Sequence, residues 1–572
     1  MTAFSDISCE FELSAGTWTD LYQDVLGAVS YTGGIRSTHP MDRIASTGVL
    51  KLTLLNHDNE YTPTHTNCLS GFEKNVPFRI TVTYDSTTIT KFYGRVALID
   101  PRPSNGLDWY TDVWVYDYMN QIMLHELQLP DLAENRKLEE VVALILTEIE
   151  IPPLNAEVYG GEDTFATVFD TTKASTKAIQ EMAKAVNSEF GYVYVRHQLR
   201  GNSDYPAKIE VTGAGTAAVN NSYYFHILLF GRPSYLGGNY VLAWSGSAWG
   251  IYDASVNRYY YSDDDVASPD LCTTWNVGAS GDADAPDVDA STDSDEVLVS
   301  EGRETRDDVT SSATFTDEDL SGIGTKYGQH YYNDVKTIVY PRKVDAAATS
   351  VLFTLNHSIK ILAGETEVFT GRFKDPDQKA QYITGRDMVT PVATTDYLFN
   401  TASDGSGSNI TSDLTVTADY GANGVEYTLV NGNAGTGYVT FLQARGKGIY
   451  VYDKVEYNEE YADGIAADGR RTLNVSMPYQ GDPIFGKDAA EIIIDIAKEK
   501  RLDIQSITFE ANKNATLIEY FRDLSVGDRI TLDLDDLDIE DDFFINGINV
   551  TITENGIAFC TYTLFPQITI GA

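Results

Sequence analysis

The sequence predicts a mainly β protein with a few helices, a β-rich α+β chain built as several antiparallel barrels or sandwiches. Three observations carry this. Apolar and polar residues alternate over short runs such as VLKLTLLN (49–56) and PFRITVTY (77–84), and a period of two is the strand period. Turn residues, as in NHDNEYTP, DSTT and PRPSNG, separate the runs. Tyrosine is abundant, 36 against 23 phenylalanines, and it suits half-buried pleated surfaces. The 572 residues allow about three or four domains.

The elements follow in order. KFYGRVALID (91–100) and DVWVYDY (112–118) continue the alternation, so residues 1–130 are read as an N-terminal β-barrel. Helical periodicity appears at 136–149, RKLEEVVALILTEI, and again over Lys173–Val186. The second run would place Ala178, Ile179, Met182, Ala183 and Val186 on one face, with Gly191 marking its end. These helices belong to a mixed α/β domain made of 131–200 and 296–345. Residues 201–295 are dense in Gly, Ser, Asp and Tyr and run into GDADAPDVDASTDSDE, an acidic tract of linker composition. They read as a small β module inserted into a hairpin between YVYV and EVLVSE. Residues 346–460 are again all strands and read as a β-sandwich decoration. Residues 461–572 read as a C-terminal α+β domain: the strand RRTLNVSMPY, a helix AAEIIIDIAKEK capped by Asp488, and four closing strands.

Charge and motifs narrow the function classes. Lys and Arg number 41 and Asp and Glu 84, a net charge of −43, which disfavours binding to phosphate backbones and anionic membranes. Cys9, Cys68, Cys272 and Cys560 are scattered with no CxxC pair, which suggests neither a zinc site nor a disulfide framework. The N-terminal stretch has no signal-peptide pattern, and no apolar run approaches the 18 residues of a membrane span. Synthesis in a cytoplasm is expected. LDLDDLDIEDD (532–542) fails the EF-hand template, because counting from Asp533 puts Leu537 at position 5, Asp538 at position 6 and Phe544 at position 12. It reads as an acidic hairpin loop. HELQL (125–129) lacks the second histidine of HExxH, and DGSGSN (404–409) reads as a loop. No catalytic, metal-binding or cofactor-binding residue is nominated, and the chain is expected not to be an enzyme.

One cluster stands out. Trp244, Trp249, Tyr252, Tyr259, Tyr260, Tyr261 and Trp275 fall close together. Small β modules need aromatics as core, and aromatic faces also stack on sugar rings. Trp244, Trp249, Tyr260 and Trp275 are the candidate contacts for carbohydrate or a partner. In RYYYS, Tyr259 and Tyr261 share one face and Tyr260 takes the other, and SDDD reads as a turn.

GVLKLTLLNHDNEYTP, KFYGRVALIDP and VWVYDY together resemble the N-terminal part of tail baseplate hub proteins of long-tailed bacteriophages. The residues that carry the resemblance are Asn56, Asp58, Tyr61 and Pro63, then Phe92, Gly94, Arg95 and Val96, then Asp117. NDVKTIVYPRK, GRFKDPDQKAQYITGRDM, VTFLQARGKGIYVYD, GRRTLNVSMPYQ and LSVGDRITLDL also resemble recurring parts of such proteins, and the 201–295 stretch resembles a small β module of phage tails. The resemblance implies a structural virion protein made in the host cytoplasm and placed at the tail tip, as a baseplate hub. It implies a homotrimeric ring that joins the tail tube and distal tail protein to a central fibre or spike. The ring would surround the tape-measure protein and the genome path, with DNA passing through unbound, and would suit a non-contractile siphovirus tail. The reading from a different class is a tail adhesin that attaches to host-surface carbohydrate through 201–295.

Overall fold

The computed structural model describes the chain apart from residues 1–3, 5, 40, 103–108, 128–132, 150, 152, 154, 159–163, 170–175, 198–207, 230–231, 238–239, 254–255, 291–296, 303–310, 379, 422 and 567–572. It is mainly β, as the alternation predicts. Among the described residues, thirteen strands, seven from the N-terminal part of the chain and six from its second half, form one sheet. The N-terminal set is β1 (Asp6–Ser14), β2 (Thr17–Asp20), β3 (Val29–Gly34), β4 (Val49–Leu55), β5 (Pro77–Tyr84), β6 (Thr87–Arg102) and β7 (Tyr110–Tyr116). The second set is β8 (Ser311–Thr316), β9 (Gly322–Tyr327), β10 (Leu502–Glu510), β11 (Arg529–Leu534), β12 (Ile539–Ile552) and β13 (Ala558–Pro566).

The two sets repeat one plan. Omitting β2, the first runs β1-β5-β6-β7-β4-β3 across the sheet, and the second runs β8-β11-β12-β13-β10-β9. Strands of the same rank in chain order occupy the same place. Four of the five pairings also agree in sense. The fifth differs, since β1 pairs β5 antiparallel and β8 pairs β11 parallel. Arg79-Ile80-Thr81 in β5 recurs as Arg529-Ile530-Thr531 in β11, with both isoleucines buried. The two units meet where β3 lies antiparallel on the second half of β12, from Gly34 opposite Gly547 to Val29 opposite Ile552.

Alternation explains the inward faces. Leu50, Leu52 and Leu54 of β4 and Ile530, Leu532 and Leu534 of β11 are buried, each such side chain contributing about 1.5–3 kcal/mol of burial. One core passes through both units and takes in helices Leu138–Thr147 and Ala178–Glu189. The second helix buries Ala178, Met182, Ala185 and Val186, while Ile179 and Ala183 are only partly covered. It begins at Ala178 after a short strand, Thr176–Lys177, and the expected first turn from Lys173 lies partly outside the described residues. Its left-handed end is Phe190 (φ 60°), not Gly191. Gly191 is needed for a different reason: a Cβ there would sit 2.2 Å from Leu138 and 2.7 Å from the Glu301 carbonyl.

Strands Tyr192–Arg196 and Val297–Glu301 pair antiparallel. The chain between them forms an eight-stranded sheet with its own core. Asp334–Val339, Val455–Glu460 and Thr472–Met477 make another sheet, covered by helix Pro483–Ala497. That helix is capped by Asp482, whose side chain accepts from the Ile484 N–H, with Pro483 in the first turn. The expected cap, Asp488, lies inside the helix. Proline fits the first turn, where its missing donor is not needed, so the helix starts earlier than its apolar run. Between these strands, the long strand Gly437–Val451 pairs with five short ones, and a three-stranded sheet covers the same core.

Gly94 of β6 has no room for a side chain, since a Cβ would lie 2.4 Å from the Tyr116 carbonyl oxygen. Gly94→Ala is expected to cost about 1–3 kcal/mol, read as a lower urea midpoint. An unchanged midpoint would show that β6 and β7 can separate freely.

Candidate functional site

The residues that carry the family resemblance turn out to be pins of the first unit. Asn56 follows β4 and is buried. Its amide donates to Thr62 Oγ1 (2.8 Å) and Thr111 Oγ1 (3.0 Å), and its carbonyl accepts from the Tyr61 N–H (2.9 Å). Asp58 is left-handed, with φ 53°, a conformation asparagine and aspartate tolerate. Tyr61 is buried and donates to Asp24 at 2.5 Å. Pro63 sits half-buried in the same loop. Phe92 packs on Tyr31 and His197, and Arg95 donates to the Asn75 carbonyl (3.1 Å). Val96 exchanges backbone bonds with Asn75 and Val76. Asp117 is buried and accepts from the backbone N–H of Met119 (3.1 Å) and of Gly48. Burial pushes its carboxyl up to about 7 despite those two donors.

The junction between the units holds more buried charge. Lys91 of β6 is fully buried, and its amine donates to the carbonyls of Phe521, Arg522 and Leu524 (2.6, 3.2 and 3.2 Å). These end helix Ala515–Asp523 of the second unit, where carbonyls lack helical partners and favour a cation. Burial lowers the Lys91 pKa to about 8. Arg196 donates to Asp528 (3.0 Å), both buried. His197 Nδ1 accepts from the Tyr93 N–H (3.1 Å), and the Ile35 N–H donates to the Asn546 carbonyl (2.6 Å). Sequence reading missed Lys91, Arg196, His197 and Asp528, because nothing local marks a charged residue as buried.

The inserted module buries all four nominated aromatics. Trp244, Trp249, Tyr260 and Trp275 lie in its core. Trp244 and Trp249 pack edge to face at 5.8 Å, with the Arg232 guanidinium 3.8 Å over Trp244. Trp249 donates to the Val266 carbonyl, and Tyr260 links Thr216 to Asp282. Tyr252, Tyr259 and Tyr261 point to the other face and are partly exposed. Asp264 of SDDD accepts from the Thr273 backbone and hydroxyl and the Thr274 backbone, which hold its carboxyl below the usual range. That makes it a loop staple. The acidic 532–542 stretch is a hairpin turn through Asp538 between β11 and β12. Among the described residues, no group of three or more His, Cys, Asp or Glu is placed to hold a metal ion, the four cysteines are free, and no helix is long and apolar enough to cross a membrane.

No family model matches the chain, and no curated protein matches it. Among solved structures, it is similar to the 43 kDa tail protein of prophage MuSo2 from Shewanella oneidensis (TM-score 0.41, 6% identity, 98% of each chain covered). It is also similar to a tail protein from Neisseria meningitidis (TM-score 0.41, 7% identity, 99% of this chain and 98% of that one). A third, at TM-score 0.34 and 7% identity over 99% of this chain and 78% of that one, is an Escherichia coli component of the type VI secretion system.

Asp117 binds its proton near pH 7 when folded, against an ordinary 3.8. The folded state therefore holds the extra proton between those values, and stability falls as pH rises through them. Asp117→Asn is expected to gain on the wild type by about 1–3 kcal/mol between pH 4 and pH 8, measured by urea unfolding at those two values. Equal stability at both pH values would mean that the carboxylate is ionised throughout.

Proposed function

We propose that this chain is a structural virion protein, a baseplate hub at a phage tail tip, assembled as a homotrimeric ring. The observation that carries the reading is the duplicated unit. Each chain supplies two units of one strand plan joined edge to edge, so three chains supply six. A trimer of this kind meets a sixfold tail tube with one unit per tube subunit. The resemblance residues support it, because they shape the loop and crossing strands of that unit. On this reading the partners are the distal tail protein, the tape-measure protein and the central fibre or spike. DNA passes through the bore without specific binding, which a net charge of −43 favours by repulsion. No chemistry is asked of the chain; it holds a symmetry mismatch together.

Electron microscopy of the purified chain at high concentration tests this. Threefold rings with a central opening and six similar lobes are expected. Single elongated particles at every concentration would count against the hub.

The partly exposed tyrosine face of the inserted module favours a second, compatible reading, attachment to host-surface carbohydrate. Tyr259 packs edge to face on Tyr240 at 5.1 Å, and the Arg258 guanidinium lies over Tyr261 at 4.2 Å. Tyr252→Ser, Tyr259→Ser and Tyr261→Ser together are expected to leave particles assembled but poorly adsorbing. Normal adsorption would remove the reading.

A further inference from the structure

We propose that copies of this chain join head to tail by the same strand addition that joins its two units: β9 of one copy lies antiparallel on the second half of β6 of the next. This rests on the hub reading and names its interface. The argument starts from what each edge strand lacks. β3 is hydrogen-bonded on both sides, by β4 and by β12. Its counterpart β9 has, among the described strands, only β10. β12 pairs with β11 through its first half, Ile539–Phe544, and with β3 through its second, Gly547–Ile552, while β13 runs along the other side. Its counterpart β6 pairs with β5 as far as Arg95 and with β7 along the other side. Beyond Val96, the β5 side of β6 carries no strand among those described. Among the described strands, β2 and β8 also pair on one side only, but the free side of β9 and the unfilled edge of β6 are the counterparts of the two elements that meet inside the chain.

Both edges expose apolar surface. Leu98 on β6 is 50% exposed and Tyr327 on β9 is 70% exposed. Open edges of this kind are sites for pairing with another chain.

The internal junction also transfers a register. Both β6 and β12 bulge where they pass their meander partner, between Val96 and Leu98 and between Ile545 and Gly547. Aligning the bulges puts Leu98 on Gly547 and their partners Trp114 on Thr563. Through those partners Lys51 aligns with Ser506, and Ser30 with Gly324. Gly34, which faces Gly547 inside the chain, then corresponds to Gly328, and both have left-handed φ, 81° and 63°. In the transferred pairing Gly328, Tyr327 and Lys326 of one copy stand opposite Leu98, Ile99 and Asp100 of the next. Lys326 and Asp100 are a cross-strand pair of opposite charge; the Asp100 side chain is 45% exposed and shares its carboxylate with Arg102 of its own chain at 3.0 Å. Pro101 has no N–H, so the added strand is anchored on residues 98–100. A head-to-tail contact of this kind leaves an edge open at each end until the ring closes.

The test uses the full chain with Lys326→Glu, with Asp100→Lys, and with both together. Sedimentation velocity over a concentration series reads assembly, and unfolding midpoints check that each variant is folded. Each single variant is expected to weaken assembly about tenfold or more, and the double variant to restore it. Rings that form equally well in all four proteins would overturn this interface and leave the hub reading standing. A double variant as weak as its worse parent would overturn the register and with it the proposal. A wild type that stays monomeric throughout would overturn both.

Discussion

The rest of the structure depends on the backbone hydrogen-bonding capacity of β12. This strand is fourteen residues long, whereas β11 covers only its first six. The remaining N–H and C=O groups need partners, because buried backbone groups left unpaired are costly. β3, from the other end of the chain, supplies them. The match tolerates no side chain at its corner: a Cβ on Gly34 would lie 2.4 Å from the Asn546 carbonyl, and its φ of 81° is left-handed. Once β3 is seated, the two units become one sheet.

Buried charge sharpens that junction. Lys91 reaches from one unit to the helix end of the other, and Arg196 ties the strand beside the insert to Asp528. Pairs of this kind add little net stability once desolvation is counted, yet breaking one partner is costly. Their effect is to penalise every arrangement in which the units are misaligned. Glu181 and Ser188 do the same for the C-terminal part, since Tyr479 bonds to both.

Much of the fold was legible in the sequence. The alternation at 49–56 and 77–84 became β4 and β5, because inward and outward faces are set by neighbouring residues. RYYYS also obeyed it, with Tyr260 inside and Tyr259 and Tyr261 outside. The candidate contacts were less legible. A tryptophan looks the same in a sequence whether it fills a core or lines a surface, and the small module uses Trp244, Trp249 and Trp275 as filling. Helix starts were missed where proline and a cap precede the apolar run, as at Asp482 and Pro483.

The sequence by itself determined the strand-rich class and the acidic charge, since these depend on composition and on neighbouring residues. Only the tertiary structure decided that Val29 meets Ile552, that two distant sets of strands share one plan, and that Lys91 is buried. Strand pairing is made by backbone groups that every residue carries, so the partner of a strand is not written in the strand. It is settled by which edges remain open after the local hairpins have formed.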